Sequence, residues 1–261
     1  VTRPKAIRPM GEEDRFHRLM IYGEPGVGKT VFAGTSPKAL ILTSDASETM
    51  SAAAMGSQAD VWVCPGYDDI DQAWEYLRHE GHEQYDWVWL DNLTLLQDQA
   101  MDDIMADLVK DKPHRNRWVP DQHEYLVNQN RISTMIRSFK KLPMHVGFTA
   151  HVMKTEDLDG KILYLPMLQG GQGALSQKVC GYMNVVGYLM VQRKEGAAKR
   201  ILYTEKTGKY LAKGRFPGMP GKLEDPTIPL LEQAMATRVA AGGSATARRR
   251  STTSTRRKVT K

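Results

Sequence analysis

The chain has 261 residues, 41 % of them hydrophobic, enough for one large α/β domain or two small ones. Its formal charge of +6 is local: seven basic residues and no acid fall between Gly242 and Lys261, so the remainder is close to neutral. The apolar runs fall far short of the ~18 residues of a membrane span, no apolar segment suited to a signal peptide heads the sequence, and Cys64 and Cys180 stand in no metal-ligand or CxxC spacing. These features exclude a membrane protein and a disulfide scaffold, and a cytoplasmic protein with two reduced thiols is expected.

Residues 1–17 form a charged, proline-containing arm. "RLMIY" (Arg18 to Tyr22) reads as a buried strand, and a helix is expected from near Gly28 to before Pro37. "ALILT" and "VWVC" supply the next strands. Asp68 offers an N-cap for a helix reaching about His79, with Ile70, Ala73, Trp74 and Leu77 on one face. "DWVWLD" (Asp86 to Asp91) is a fourth strand that ends in an acid, and Leu93 to Val109 has helical periodicity. The segment from Lys110 to Asp121 breaks the pattern with two prolines and a basic cluster, before another helix from about Gln122 to Lys141. "HVGFTAH" (His145 to His151) is a fifth strand. Strand-like segments follow at Ile162 to Leu165, Val185 to Val191 and Arg200 to Thr204, with the glycine cluster "LQGGQG" after the first. Ile228 to Val239 is a closing helix. Residues 241–261 hold almost no large apolar side chain and cannot offset their own ordering entropy, so the tail is expected to be disordered. It serves either as an electrostatic tether for nucleic acid or as a solubilising terminus. Strands alternating with helices predict a mostly parallel sheet with helices on both faces, and the closer spacing in the second half predicts an antiparallel extension. A single core over 18–240 is the simplest organisation.

The stretch "GEPGVGKTV" carries the chemistry. Gly23, Gly28, Lys29 and Thr30 fit G-x-x-x-x-G-K-[ST] between a predicted strand and a predicted helix. Glycines let backbone N–H groups curl around phosphate oxygens with no Cβ in the way. Gly23, Glu24, Pro25, Gly26, Val27, Gly28, Lys29, Thr30 and Val31 are therefore the expected nucleotide contacts. Lys29 is expected on the β- and γ-phosphates of ATP, and the Thr30 hydroxyl on Mg2+. Asp91, emerging where an apolar strand ends, is the expected partner of the metal; capping the next helix is its bland alternative. Asp45, two residues past "ALILT", is the best-placed acid to serve the attacking water, with Glu48 second. His151, at the end of its strand, is placed to touch the γ-phosphate.

In this order the parts resemble the RecA-like P-loop ATPases. "LAKGRFPG" (Leu211 to Gly218) is similar to the lysine–x–arginine–phenylalanine–glycine signature of RadA-type proteins, with a proline before the glycine. The resemblance implies that Lys213 and Arg215 act in trans on the nucleotide of a neighbouring subunit, hence a homo-oligomer, ring or filament. It also implies two DNA loops. One holds Lys110, Lys112, Arg115, Arg117 and Trp118, cations for phosphates beside an aromatic for stacking; the other holds Gln169, Gly170, Gly171 and Gln172. At family level the chain resembles the minimal RecA-core ATPases of bacteriophages, the fourth Sak class of single-strand annealing proteins, over roughly Leu19 to Ala240. A magnesium-dependent ATPase that binds and anneals single-stranded DNA is the function this implies, in a host cytoplasm, with no membrane partner; the resemblance also admits a single-strand DNA-binding protein as partner. A nucleotide-switched assembly protein that does not touch DNA is the competing reading, because one fold hosts many functions.

Overall fold

The computed structural model describes residues 16–156, 160–194 and 196–236. The basic tail, nearly all of the N-terminal arm and the last residues of the expected closing helix lie outside them. In chain order the elements are β1 (Arg18–Tyr22), α1 (Lys29–Ala33), β2 (Ala39–Thr43), α2 (Met50–Ala54), β3 (Asp60–Val63), α3 (Tyr67–Tyr76), α4 (His82–Gln84), β4 (Trp87–Leu90), α5 (Leu93–Asp111) and α6 (Gln122–Phe139). They are followed by β5 (His145–Ala150), β6 (Val152–Glu156), β7 (Ile162–Pro166), α7 (Ala174–Tyr182), β8 (Val185–Lys194), β9 (Ala197–Tyr203), β10 (Lys213–Gly214), β11 (Lys222–Glu224) and α8 (228–236).

The main sheet runs β11–β9–β8–β1–β5–β4–β2–β3, with β10 paired to β8. All pairs from β8 through β3 are parallel, whereas β9, β10 and β11 form the antiparallel extension. A strand flanked on both edges and both faces reads as a continuous apolar run, and β1, β2 and β4 are buried at every position. Alternation still sorts their side chains. Met20, Tyr22, Leu40, Leu42, Val88 and Leu90 pack with α3, α5, α6 and α7, while Leu19, Ile21, Ile41, Trp87 and Trp89 pack with Phe32 and with Ile228 and Leu231 of α8. Helices thus cover both faces, as expected.

Several boundaries differ from the expected ones for local reasons. The third strand begins at Asp60 rather than Val61. The helix after the phosphate motif ends at Ala33, before Pro37 as expected, with Gly34 as its C-cap. Asp68 does not cap α3: the cap is Gly66, whose N–H is taken by the Asp69 carboxylate at 2.8 Å, and the Tyr67 N–H goes to Asp103 at 2.9 Å. Besides the short elements α2, α4, β10 and β11, three further features were not expected. β6 pairs antiparallel with β7 in a separate ribbon, α7 follows the glycine cluster directly, and a short helical segment (Ala46–Thr49) leads into α2.

The edge of the sheet at the N-terminal ends of its parallel strands is thoroughly bonded. Arg18 is buried, yet its guanidinium donates to the carbonyls of Lys140, Leu142 and Met144 at 2.7–2.9 Å. Beside it, the His17 N–H donates to His145 Nδ1 at 2.9 Å, and both imidazoles stack toward Trp87. Glu232 lies close to these two rings, but the stacking and the occupied Nδ1 make the group packing rather than a ligand set. Cys64 and Cys180 are free and buried, and burial pushes both thiols up to about 12. Among the described residues, no helix is long and apolar enough to cross a membrane.

Candidate functional site

At the opposite edge, where the parallel strands end, the phosphate motif forms a loop between β1 and α1. Gly23 is pressed against β8, where a Cβ would lie 2.2 Å from the Leu189 carbonyl oxygen, and Gly28 has φ +95°. Both positions require glycine, the first for lack of space and the second for its left-handed backbone. Glu24, Pro25 and Gly26 are exposed at the loop's crest, Val27 is buried beneath it, and Thr30 and Val31 are half-buried.

Lys29 folds back under the loop. It is 7 % exposed, and its Nζ donates to the carbonyls of Gly23 at 3.0 Å and Glu24 at 2.9 Å. Burial lowers its pKa, while Asp91, Glu24 and Glu48 favour the charged form. Asp91, 2 % exposed, leaves the end of β4 into the same cleft. One of its oxygens accepts from the Thr149 hydroxyl of β5, and the other, Oδ2, is buried with no hydrogen-bond partner among the described residues. Burial pushes this carboxyl up, against the pull of the Thr149 and Thr30 hydroxyls, Lys29 and His151. It does not cap α5. Asn92 does that, accepting from Leu95 N at 3.0 Å.

The cleft measures about 360 Å³, and Lys29, Thr30, Glu48, Asp91, His151 and Arg200 supply its chemistry. The structure brings Glu48 to this wall and not Asp45. Asp45 caps the short helix by accepting from Ser47 N at 2.8 Å, and that bond holds its carboxyl below its ordinary pKa. Glu48 accepts from the Thr43 hydroxyl at 3.2 Å, and burial raises its pKa, with Asp91 adding to the effect. A carboxylate so poised is a better proton acceptor at neutral pH than one held low. His151 is positioned by its own N–H, which donates to Thr94 Oγ1 at 3.0 Å, and its Nδ1 is buried without a partner among the described residues. Burial and Lys29 hold its pKa below the usual imidazole value.

Lys213 and Arg215 do not enter this cleft. Lys213 is paired with Val186 and Gly214 with Val185, near the start of β8, whereas Tyr188 is the β8 residue level with Tyr22 at the phosphate edge. Both cations reach toward the Gly181 carbonyl, Arg215 at 3.0 Å and Lys213 at 3.4 Å. The other predicted groups are also remote from the cleft lining. Lys110 pairs with Asp107, and Arg115 pairs with Asp121 and Glu124. Lys112 is exposed, and Arg117 lies 5.2 Å over the ring of Trp118, which is 77 % exposed. Gln169 is braced to α5, its N–H donating to Gln97 Oε1 at 2.7 Å and its side chain to Asp98 at 2.9 Å. Gly170 precedes, and Gly171 and Gln172 lie within, a single tight turn ahead of α7.

Sequence reasoning missed Thr149 and Arg200. Thr149 carried a signal, a hydroxyl in an otherwise apolar strand. Arg200 carried none, since it reaches the loop only through the β8–β9 pairing.

A family model described as AAA domain (AAA_24) matches residues 15–216. The chain belongs to this AAA domain family. Its fold is that of an α/β P-loop NTPase, built on the parallel sheet and the phosphate loop described above. No curated protein matches the sequence. Solved structures with a similar outline include the RadB recombinase (13 % identity, TM-score 0.47, covering 80 % of this chain and 84 % of that one). The flagellar accessory protein FlaH from Methanocaldococcus jannaschii is similar at 8 % identity and TM-score 0.39, covering 80 % of this chain and 84 % of that one. A KaiC-like protein from Pyrococcus horikoshii OT3 is similar at 12 % identity and TM-score 0.40, covering 80 % of this chain and 90 % of that one.

Proposed function

We propose that this AAA-domain protein is an ATP-dependent single-stranded DNA binding and annealing protein that hydrolyses ATP at subunit interfaces. The observation that carries the ATPase part is Asp91: a carboxylate buried at a strand end, one oxygen bonded to Thr149, the other without a partner, in a cleft shared with Lys29 and Thr30. A buried unpartnered carboxylate oxygen costs stability unless something positive meets it. Thr30 and Asp91 fit the hydroxyl and carboxylate that would hold Mg2+, which when bound neutralises phosphate charge.

The chain's own residues do the rest. The loop amides cradle the phosphates, and Lys29 exchanges the carbonyls of Gly23 and Glu24 for phosphate oxygens. The Glu48 carboxylate, in preference to Asp45, takes the proton from the attacking water. His151 contacts the γ-phosphate through its imidazole. Lys213 and Arg215, pointing away from their own cleft, serve the cleft of an adjacent copy, where a cation stabilises developing charge. Single-stranded DNA lies along the α5–α6 loop, stacking on Trp118 with Lys112 and Arg117 on its phosphates.

The paired state of Lys110 and Arg115 favours a second reading, a nucleotide-switched assembly protein without DNA. ATP turnover with and without an oligonucleotide separates the two. Several-fold stimulation is expected, and Trp118→Ala should weaken oligonucleotide binding about tenfold, the scale of one lost base stack. Turnover indifferent to oligonucleotide in both proteins would establish the second reading.

A further inference from the structure

The phosphate cleft has a wall that the motifs do not account for. Arg200, at the middle of β9, reaches across to the loop, and its Nε donates to the Val27 carbonyl at 3.2 Å. It packs so closely that a Cβ on Gly28 would lie 2.5 Å from that nitrogen. The backbone behind it is clamped on both sides. Its N–H donates to Asp225 Oδ1 at 3.0 Å, and the Asp225 N–H donates to its carbonyl at 2.7 Å. Asp225 carries φ +42° in this arrangement.

Among the described residues no carboxylate pairs with the guanidinium. Glu224, the nearby surface carboxylate, is engaged by Lys199 at 3.0 Å and Lys222 at 3.8 Å. Among the described residues Arg200 makes no ion pair, and only its Nε, of the three guanidinium nitrogens, donates to the protein. A fork with one tine fixed and two unspent is preorganised for an anion, because little further side-chain freedom is lost on binding. Arg200 also forms, with Val31, the partition between the phosphate cleft and a second cavity of about 230 Å³. A ligand whose phosphates lie on the loop and whose remainder leaves by that side passes beside it.

We propose that Arg200 is a second phosphate-binding cation, acting in cis on the nucleotide held by its own loop. The proposal rests on reading the cleft as a nucleotide site. It assigns to one chain a charge that is separate from Lys213 and Arg215, which lie away from this cleft.

The test measures ATP and ADP affinity for the full chain and for Arg200→Gln and Arg200→Lys. Loss of a charge-assisted bond is expected to weaken both nucleotides about tenfold in Arg200→Gln, with Lys, which restores charge but not the fork, in between. Raising salt should weaken the wild type more steeply than Arg200→Gln, because one screened charge pair has been removed. A residue that merely braced Val27 would leave the salt dependence unchanged, and that result, or affinities within about twofold of wild type, overturns the proposal. Mixing Arg200→Gln with Lys29→Ala chains should restore no tight site, since a cis residue and Lys29 must share a chain; restored binding assigns Arg200 to the neighbour and likewise overturns it. The two readings fail separately. Lys29→Ala binding ATP as well as wild type removes the nucleotide site itself, whereas an unaffected Arg200→Gln alone removes only this assignment.

Discussion

Arg18 and Asp91 are both charged side chains buried at opposite ends of two parallel strands that flank β5, and the protein treats them in opposite ways. Arg18, where β1 begins, gives its guanidinium to the carbonyls of Lys140, Leu142 and Met144, which tie the turn before β5 to β1. Asp91, where β4 ends, has Thr149 on one oxygen and, among the described residues, no hydrogen-bond partner on the other, although the Thr30 hydroxyl and Lys29 favour its charged form. Burying a charge is tolerable when every lone pair or proton is met. The satisfied group is part of the scaffold; the unsatisfied one marks where the fold gives up stability for chemistry. The same contrast separates His145, whose Nδ1 accepts a backbone N–H, from His151, whose Nδ1 accepts nothing.

The sharpest way to break this contrast is Asp91→Asn. It should cut ATP turnover roughly a thousandfold, the upper scale for removing one preorganised group, yet raise the stability of the nucleotide-free protein at pH 7 by removing a charge that burial disfavours. The sign follows from linkage. A carboxyl raised in the folded state contributes stability below its ordinary pKa of 3.8 and loses that contribution as pH rises through the folded value. Denaturation of the wild type should therefore become easier across that rise, and the variant should lack that part of the pH dependence. Equal stability of the two proteins at pH 7 would mean the orphan oxygen carries no cost.

Next in size is the pair Glu48→Gln and Asp45→Asn. The first should lower turnover about a hundredfold and remove an acid limb lying above the ordinary glutamate range, since burial raises Glu48; the second should change turnover by less than about threefold. A reversal of these two results would return the water-activating role to Asp45. Smallest is Arg18→Met, expected to leave turnover unchanged and to reduce stability by about 2 kcal/mol as the three carbonyls lose their donors, read by urea unfolding.

How far the sequence could be read follows from the range of the interactions involved. β1, β2, β4 and β5 are apolar runs bounded by breakers, and their lengths follow from that alone. The phosphate loop, Asp91 and His151 were legible because each sits at the end of such a run. β6 was not, because an exposed two-stranded ribbon has no continuous apolar face; its residues are mostly half-buried or exposed. α7 was hidden behind the glycines that introduce it. Asp68 was a reasonable cap by residue type, but Asp69 reaches Gly66, a choice set by where α5 places Asp103. Asp45 and Glu48 differ by three positions, and only the short helix between them decides which turns toward the cleft. Arg200 depends wholly on long-range pairing, which no local pattern encodes.

Helix α5 connects what the chain otherwise keeps apart. It springs from Asn92, directly after the acidic strand end. Within its first turn, Thr94 accepts from the His151 backbone and donates to the Met167 carbonyl at 2.9 Å. One turn further, the Gln97 amide clasps Gln169 through both its oxygen and its nitrogen, while the Gln97 carbonyl takes Asn128 of α6 at 2.9 Å. The helix that leaves the phosphate cleft is thus bonded directly both to the residue opening the glycine turn and to the second turn of α6, so one rigid rod fixes the spacing of all three.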